Sequence, residues 1–207
     1  DEYFYFARVD ADPAIIFSSQ KGKFKSIDDV IAEGKKRTIT VGVSRLAHPA
    51  SLGALALGQK TGVKMNLIPL SGGRNTRAGV ATGEVDIGAL PSGGIVNRPK
   101  SFRIIAVFDD KIPLPKRMPD AVVVNKHFNM DLPPLIAGAR AFAIKAEAAE
   151  KYPDRFKILT DTLKKVYSNQ DYKKAIVRTK TPWEYIRYGD PEECKKYVQY
   201  ITEVGQQ

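Results

Sequence analysis

The side chains that could do chemistry in this 207-residue sequence are few and far apart. It holds two histidines, His48 and His127, and one cysteine, Cys194. A lone cysteine forms no intramolecular disulfide and no cysteine-rich zinc site, and it fits cytoplasm and periplasm equally. The spacings of HExxH metal sites, nucleophile elbows, Walker loops, GxGxxG turns and paired-cysteine sites do not occur, and Ser92-Gly93-Gly94 lacks the leading glycine of an elbow. His48 has no orienting partner near it in sequence, which favours a ligand contact or a polar loop role over general-base catalysis. Asp86 interrupts an apolar run, where a carboxylate must be tied to backbone donors or lie at a strand edge. A structural tie is expected there, with His127 in a loop and Trp183 in the core. The inventory favours binding over catalysis, with no cofactor and no metal.

What could be bound is suggested by two turns. Residues 67–94 read as an apolar strand ending at Pro69, a turn at Ser71-Gly72-Gly73, a helix over about 74–82, a breaker at Gly83 and a second apolar run over 85–89. This is a β-α-β unit, and ligands of open α/β sheets collect at the carboxyl ends of such strands. The Ser71-Gly72-Gly73 turn and the loop from Leu90 through Pro91 and Ser92 to Gly94 are therefore candidate ligand surfaces. The segment Ser44-Arg45-Leu46-Ala47-His48-Pro49-Ala50-Ser51, between a strand at 38–43 and a helix at 52–59, is the other. Uncapped N–H groups at such a helix start attract an anion, with Ser44 or Ser51 adding hydroxyl donors. The alternative is that one serine caps the helix and nothing binds.

The remaining elements frame these loops. Strands are expected at 3–9 and 14–17, joined at Asp10-Ala11-Asp12-Pro13. Ser26 is an N-cap for a helix of about ten residues, with Asp28 and Asp29 in its first turn. Residues 102–108 form a strand, 122–131 are ambiguous, and 135–144 form another strand. From residue 147 the pattern is helical, with Pro153 starting or kinking a helix whose buried face carries Phe156, Leu159, Leu163 and Val166. A helix over 169–179 and a short strand over 183–187 follow. Asp190-Pro191-Glu192-Glu193 then opens a last helix that buries Cys194, Tyr197, Val198 and Ile201.

Composition narrows the classes. Hydrophobic residues make up 43% of the chain, enough for a core. No apolar run approaches the roughly 18 residues that span a bilayer, and the first residues do not read as a signal peptide. The net charge of +10 is spread along the chain without the aromatic interleaving of a single-strand-binding surface, which argues against nucleic acid and suits small anions.

The ordered set formed by a strand ending in proline, a Gly-Gly turn, a helix closing in Ala-Thr-Gly-Glu-Val-Asp-Ile-Gly, the strand Phe-Arg-Ile-Ile-Ala-Val-Phe, a proline-rich loop and an Ala-Phe-Ala-Ile-Lys strand before terminal helices resembles the solute-binding proteins of tripartite tricarboxylate transporters, the Bug or TctC type. The resemblance implies an α/β periplasmic-binding-protein type II (Venus-flytrap) fold. It implies a periplasmic receptor that closes on a small organic carboxylate and delivers it to membrane permease subunits. Residues 9–107 would be the second lobe, and residues 1–8 and 108–207 the hinge and C-terminal part of the first. Closure would occur across strands near Arg8 and Phe108. The site carried over by position comprises Ser44, Arg45, His48, Ala50 and Ser51 from one loop, Ser71, Gly72 and Gly73 from the next, and Pro91 and Ser92 after the third strand. Arg45 and His48 stand where the family has a glycine- and serine-rich loop, and Leu70-Ser71 replaces its Tyr-Lys. Arg45 could add a bidentate clamp. Family members carry about a hundred further residues at the start, so a missing N-terminal fragment or a second copy is expected to cover Leu135, Phe142, Val198 and Ile201. The other readings are an effector-sensing domain of a regulator and an enzyme on the same two-lobed fold.

Overall fold

The computed structural model describes residues 2–206, excepting the side chains of 200, 201 and 203–206. The chain divides into two compact units, one formed by residues 12–138 and the other by residues 1–11 with 139–207.

In the 12–138 unit, strands β1 (Tyr3–Ser19), β2 (Ile39–Val43), β3 (Met65–Pro69), β4 (Ile87–Pro91), β5 (Phe102–Val107) and β6 (Val122–Val123) lie in the order β3-β2-β4-β1-β5-β6. The sheet is mixed. β2 runs parallel to both β3 and β4, and β1 runs antiparallel to β4 and β5. Helices α2 (Pro49–Thr61) and α3 (Gly73–Thr82) connect the parallel strands, as expected when a crossover must return the chain to the same edge direction, and α1 (Ile27–Gly34) leads from β1 into β2. Ser26 caps α1 in a reciprocal capping box with Asp29, as the sequence suggested. The β3-α3-β4 unit also forms as expected, with Gly72 at φ 107° before the helix and Gly83 at φ 81° after it.

β1 is one strand of 17 residues, and no turn separates its halves at Pro13. The β4 ladder begins at Ala14–Pro91 and the β5 ladder at Ile15–Val107, so the missing N–H of Pro13 costs neither of these two ladders a bond. Ala14, Ile15, Ile16 and Phe17 are fully buried at the centre of the sheet. The compact unit also extends past residue 107 to Gly138. The segment beyond β5 returns through the parallel strand β6 into the short helix α5 (Val124–Phe128), burying Leu114, Met118, Val124 and Leu135. His127 lies on α5 rather than in a loop, 2.8 Å from Asp28.

In the other unit, Arg8 bridges to Gly189, and the buried Asp10 carboxylate accepts from the Arg140 backbone N–H and guanidinium. Strand β7 (Ile136–Lys145) pairs with β1 and leads into helices α6 (Ala146–Lys151), α7 (Pro153–Tyr167), α8 (Gln170–Arg178) and α9 (Pro191–Gln206). Pro153 starts a new helix, and Asp190 and Glu193 close a reciprocal cap at α9. Two expectations fail here. The face of α7 is only half-buried at Phe156, Leu163 and Val166, and Leu159 is 40% exposed. Phe156 packs instead on the rings of Phe4 and Phe6. Along α9, Cys194 is buried and Tyr197 half-buried, but Val198 is exposed.

Residues Trp183–Tyr185 form a 3-10 turn where a strand was expected, closed by Tyr185 N–H to Pro182 and Ile186 N–H to Trp183. Tyr185 takes the buried position while Trp183 packs edge-on to Tyr172, half-buried. Of the four residues expected to need cover, Leu135 is already buried, Phe142 and Val198 are exposed, and the Ile201 side chain lies outside the described residues. Among the described residues no helix is long and apolar enough to cross a membrane.

Candidate functional site

β2, β3 and β4 all end at one edge of the 12–138 sheet, and the loops leaving them surround a cleft of about 270 Å³. The loop after β2 contributes Ser44, Arg45 and His48. The start of α3 contributes Gly73 and, one turn further on, Arg77. The end of β4 and the turn after it contribute Leu90, Pro91 and Gly94. The loops are tied to one another, since Leu70 N–H donates to the Val43 carbonyl and Gly72 N–H to the Ser44 carbonyl.

The start of α2 is closed from within, contrary to the expectation that its N–H groups await an anion. His48 is its N-cap, and the imidazole Nδ1 accepts from the Ala50 N–H at 3.2 Å. Pro49 has no N–H, and those of Ser51 and Leu52 go to the His48 carbonyl. Neither serine caps the helix. Ser51 is fully buried and donates its hydroxyl to the Arg45 carbonyl at 2.8 Å, fixing the loop. Ala50 is likewise buried with its N–H committed. An accepting Nδ1 leaves the ring proton on Nε2 in the neutral imidazole. Burial first, then the Arg45 charge, push the His48 pKa below its ordinary value despite a backbone hydrogen bond to Ala137.

The helix start that remains open belongs to α3. Gly72 provides no side-chain cap, and Ser71 before it has φ 53°. Ser71 and Gly72 shape this turn without lining the cleft, while Gly73 lines it. Ser92 is also absent from the wall. It is fully buried and donates its hydroxyl to Asp12 at 2.7 Å, while Gly93 N–H donates to the same carboxylate. Asp12 thereby anchors the first turn of α4 (Gly93–Val96) and so the position of Pro91 and Gly94. Of the residues expected at the site, the structure brings together Ser44, Arg45, His48, Gly73 and Pro91, and makes Ala50, Ser51, Ser71, Gly72 and Ser92 its supports.

Leu90 and Gly94 belong to the loop expected to form a ligand surface, and Arg77 is the lining residue that was not anticipated. Arg77 reads as one of several scattered cations on a short helix, and no local pattern sets it apart. In space its Nη1 lies 3.4 Å from where a Cβ of Gly73 would stand and 3.1 Å from that of Gly94. Burial lowers its pKa first, and the neighbouring charges of Arg98 and Arg74 lower it further. Arg45, also on the wall, is exposed. Among the described residues no carboxylate lines the cleft, and none forms an ion pair with Arg77 or Arg45. A small concave site with two guanidinium groups, an uncapped helix start and no internal counter-charge is suited to hold an anion.

Asp86 plays the structural role its sequence context implied. It lies just before β4 and accepts a two-pronged contact from Arg37 at 2.8 and 2.7 Å, plus the Thr40 N–H and hydroxyl at 2.9 and 3.0 Å. Burial raises its pKa, but the Arg37 and Thr40 hydrogen bonds outweigh that and hold it at about 2. Among the described residues no group of three or more His, Cys, Asp or Glu side chains is placed to hold a metal ion.

This strand order, with β1 inserted antiparallel between β4 and β5, is the fold of the periplasmic binding proteins. The solved structures that share it across the whole chain include a TctC solute-binding protein from Polaromonas, with TM-score 0.71 and 18% identity, covering 100% of this chain and 70% of that one. A Rhodopseudomonas palustris protein solved with adipate gives TM-score 0.73 at 14% identity, covering 99% and 69%. MatC from Rhodopseudomonas palustris, solved with bound malate, gives 0.68 at 12%, again covering 99% and 69%. The likeness anticipated from the order of sequence motifs is therefore present in the fold. No profile of a known protein family matches the sequence, and no curated protein matches it.

Proposed function

We propose that this chain belongs to a TctC/Bug-type receptor that captures a small organic carboxylate in the periplasm and hands it to the permease of a tripartite tricarboxylate transporter. The observation that carries the reading is the cleft at the carboxyl ends of β2, β3 and β4, walled by Arg45 and Arg77 with no carboxylate among the described residues facing them. An oxyanion there gains charge-assisted hydrogen bonds from guanidinium groups and the partial positive charge of the α3 start. Proteins of the same fold have been solved with adipate and with malate, which are carboxylates small enough for such a cleft. The chemistry required is recognition without bond-making, and His48 is used as a cap.

Isothermal titration of the purified chain against acetate, butyrate, malonate, succinate, malate, adipate and citrate tests the reading. Binding of at least one of them with a Kd below about 1 mM, accompanied by a rise in Tm, is the expected outcome. Absence of both heat and thermal stabilisation across the panel at 10-fold higher concentration, about 10 mM, overturns it.

A further inference from the structure

The cleft carries more information than the sign of its ligand's charge. Two of its walls converge on one side chain. Arg77 sits four residues into α3, so its stem rises along the face of the helix start, and its guanidinium occupies the space left by two residues without side chains, Gly73 and Gly94. A Cβ on Gly94 would come within 3.1 Å of Nη1. Arg98, whose guanidinium donates to the Gly94 carbonyl, and Arg74 bring two more positive charges near it. Such a cluster is unfavourable in the empty cleft, because burial and like charge both oppose the Arg77 cation.

A monocarboxylate can satisfy one cation of the wall and leaves the other exposed to the same repulsion. A ligand with a carboxylate at each end neutralises both Arg45 and Arg77. We infer that Arg77 is the specificity-determining residue of this site, reading a second carboxylate on the ligand, so that the receptor selects short dicarboxylates over monocarboxylates of the same length. This rests on the carboxylate-binding reading above and sharpens it to a ligand class and a residue. Arg45 is exposed, whereas Arg77 is half-buried with its guanidinium beside Gly73 and Gly94, so its charge is the less screened by solvent and the more sensitive to whether a ligand carboxylate meets it.

The test compares succinate with butyrate, which match in carbon number and differ in one carboxylate, on the intact chain and on Arg77→Met and Arg77→Lys. The intact chain is expected to bind succinate roughly 10- to 100-fold more tightly than butyrate, the range for one charge-assisted contact in a partly buried site. Arg77→Met should weaken succinate at least about 10-fold while changing butyrate less than about 3-fold, collapsing the ratio, and Arg77→Lys should restore part of it because charge returns without the planar fork. Thermal unfolding of unliganded Arg77→Met should show a Tm equal to or above that of the intact chain, since a repelled cation has been removed, whereas Arg77→Lys keeps the charge and should show no such gain. Equal affinity of the intact chain for succinate and butyrate, or equal loss of both ligands in Arg77→Met, overturns this inference while leaving carboxylate binding standing. Failure of every carboxylate to bind the intact chain overturns both.

Discussion

Replacing Asp86 with Asn isolates the charge of one internal anchor while keeping its shape. Asp86 ties the start of β4 to Thr40 on β2 and to Arg37 beside it through four accepted hydrogen bonds between 2.7 and 3.0 Å. Its carboxyl is held at about 2 against an ordinary value of 3.8. A drop of just under two units, at about 1.4 kcal/mol per unit, corresponds to about 2.5 kcal/mol. The Arg37 side chain is 40% exposed and keeps Glu33 as a second partner at 2.8 Å, so solvent screening trims the expected cost to about 1–2 kcal/mol. For a chain of this size that is a fall in Tm of roughly 3–6 °C near neutral pH. The pH dependence distinguishes charge from packing. The unfolded carboxyl takes up its proton near 3.8 and the native one only near 2, so the stabilisation is complete above the first value and disappears as pH falls through the second. Circular-dichroism melts of both proteins between pH 6 and pH 2.5 should show the gap narrowing steadily below pH 4. A gap of constant size across that range, or none at pH 6, refutes the reasoning.

Two further outcomes follow from the fold. The His48 cap requires a neutral imidazole, and its pKa is depressed, so its contribution is present above about 6.5 and is lost as pH falls through the lower native value. His48→Asn keeps a cap acceptor without a titrating proton and should flatten the stability loss between pH 6.5 and 5 in urea titrations, whereas an unchanged acid limb contradicts the cap assignment. At the sheet centre, a Cβ on Gly88 would stand 2.4 Å from the buried ring of Phe17, which packs edge-on to Phe102 at 5.3 Å. Gly88→Ala should therefore cost about 1–3 kcal/mol by overpacking, read as a lower urea midpoint with an unchanged slope.

What the sequence disclosed was the set of features whose cause is local. Ser26 with Asp29 and Asp190 with Glu193 are caps written within four residues, and Gly72 and Gly83 mark positions that need positive φ. Asp86 in an apolar run could only be tied down, and it is. The misreadings share a different cause. Pro13 looked like a break because the pattern alone does not show that both ladders start just after it. A serine looked like the cap of α2 because serine usually is one, but Pro49 follows His48 and the imidazole reaches Ala50 first. Arg77 was invisible as a site residue because its setting is made by Gly94, 17 positions away and brought close only when β4 pairs with β2. The proposed anion site accordingly moves from the start of α2, which closes on itself, to the start of α3.

The most direct measurement of that claim is a crystal structure of the chain grown with succinate in excess. The account predicts a succinate carboxylate within hydrogen-bonding distance of the Arg77 guanidinium, beside Gly73 at the start of α3, with the His48 to Ala50 cap unbroken. Succinate bound elsewhere while the Arg77 cleft holds only solvent, or His48 swung out to let α2 receive the anion, would contradict it.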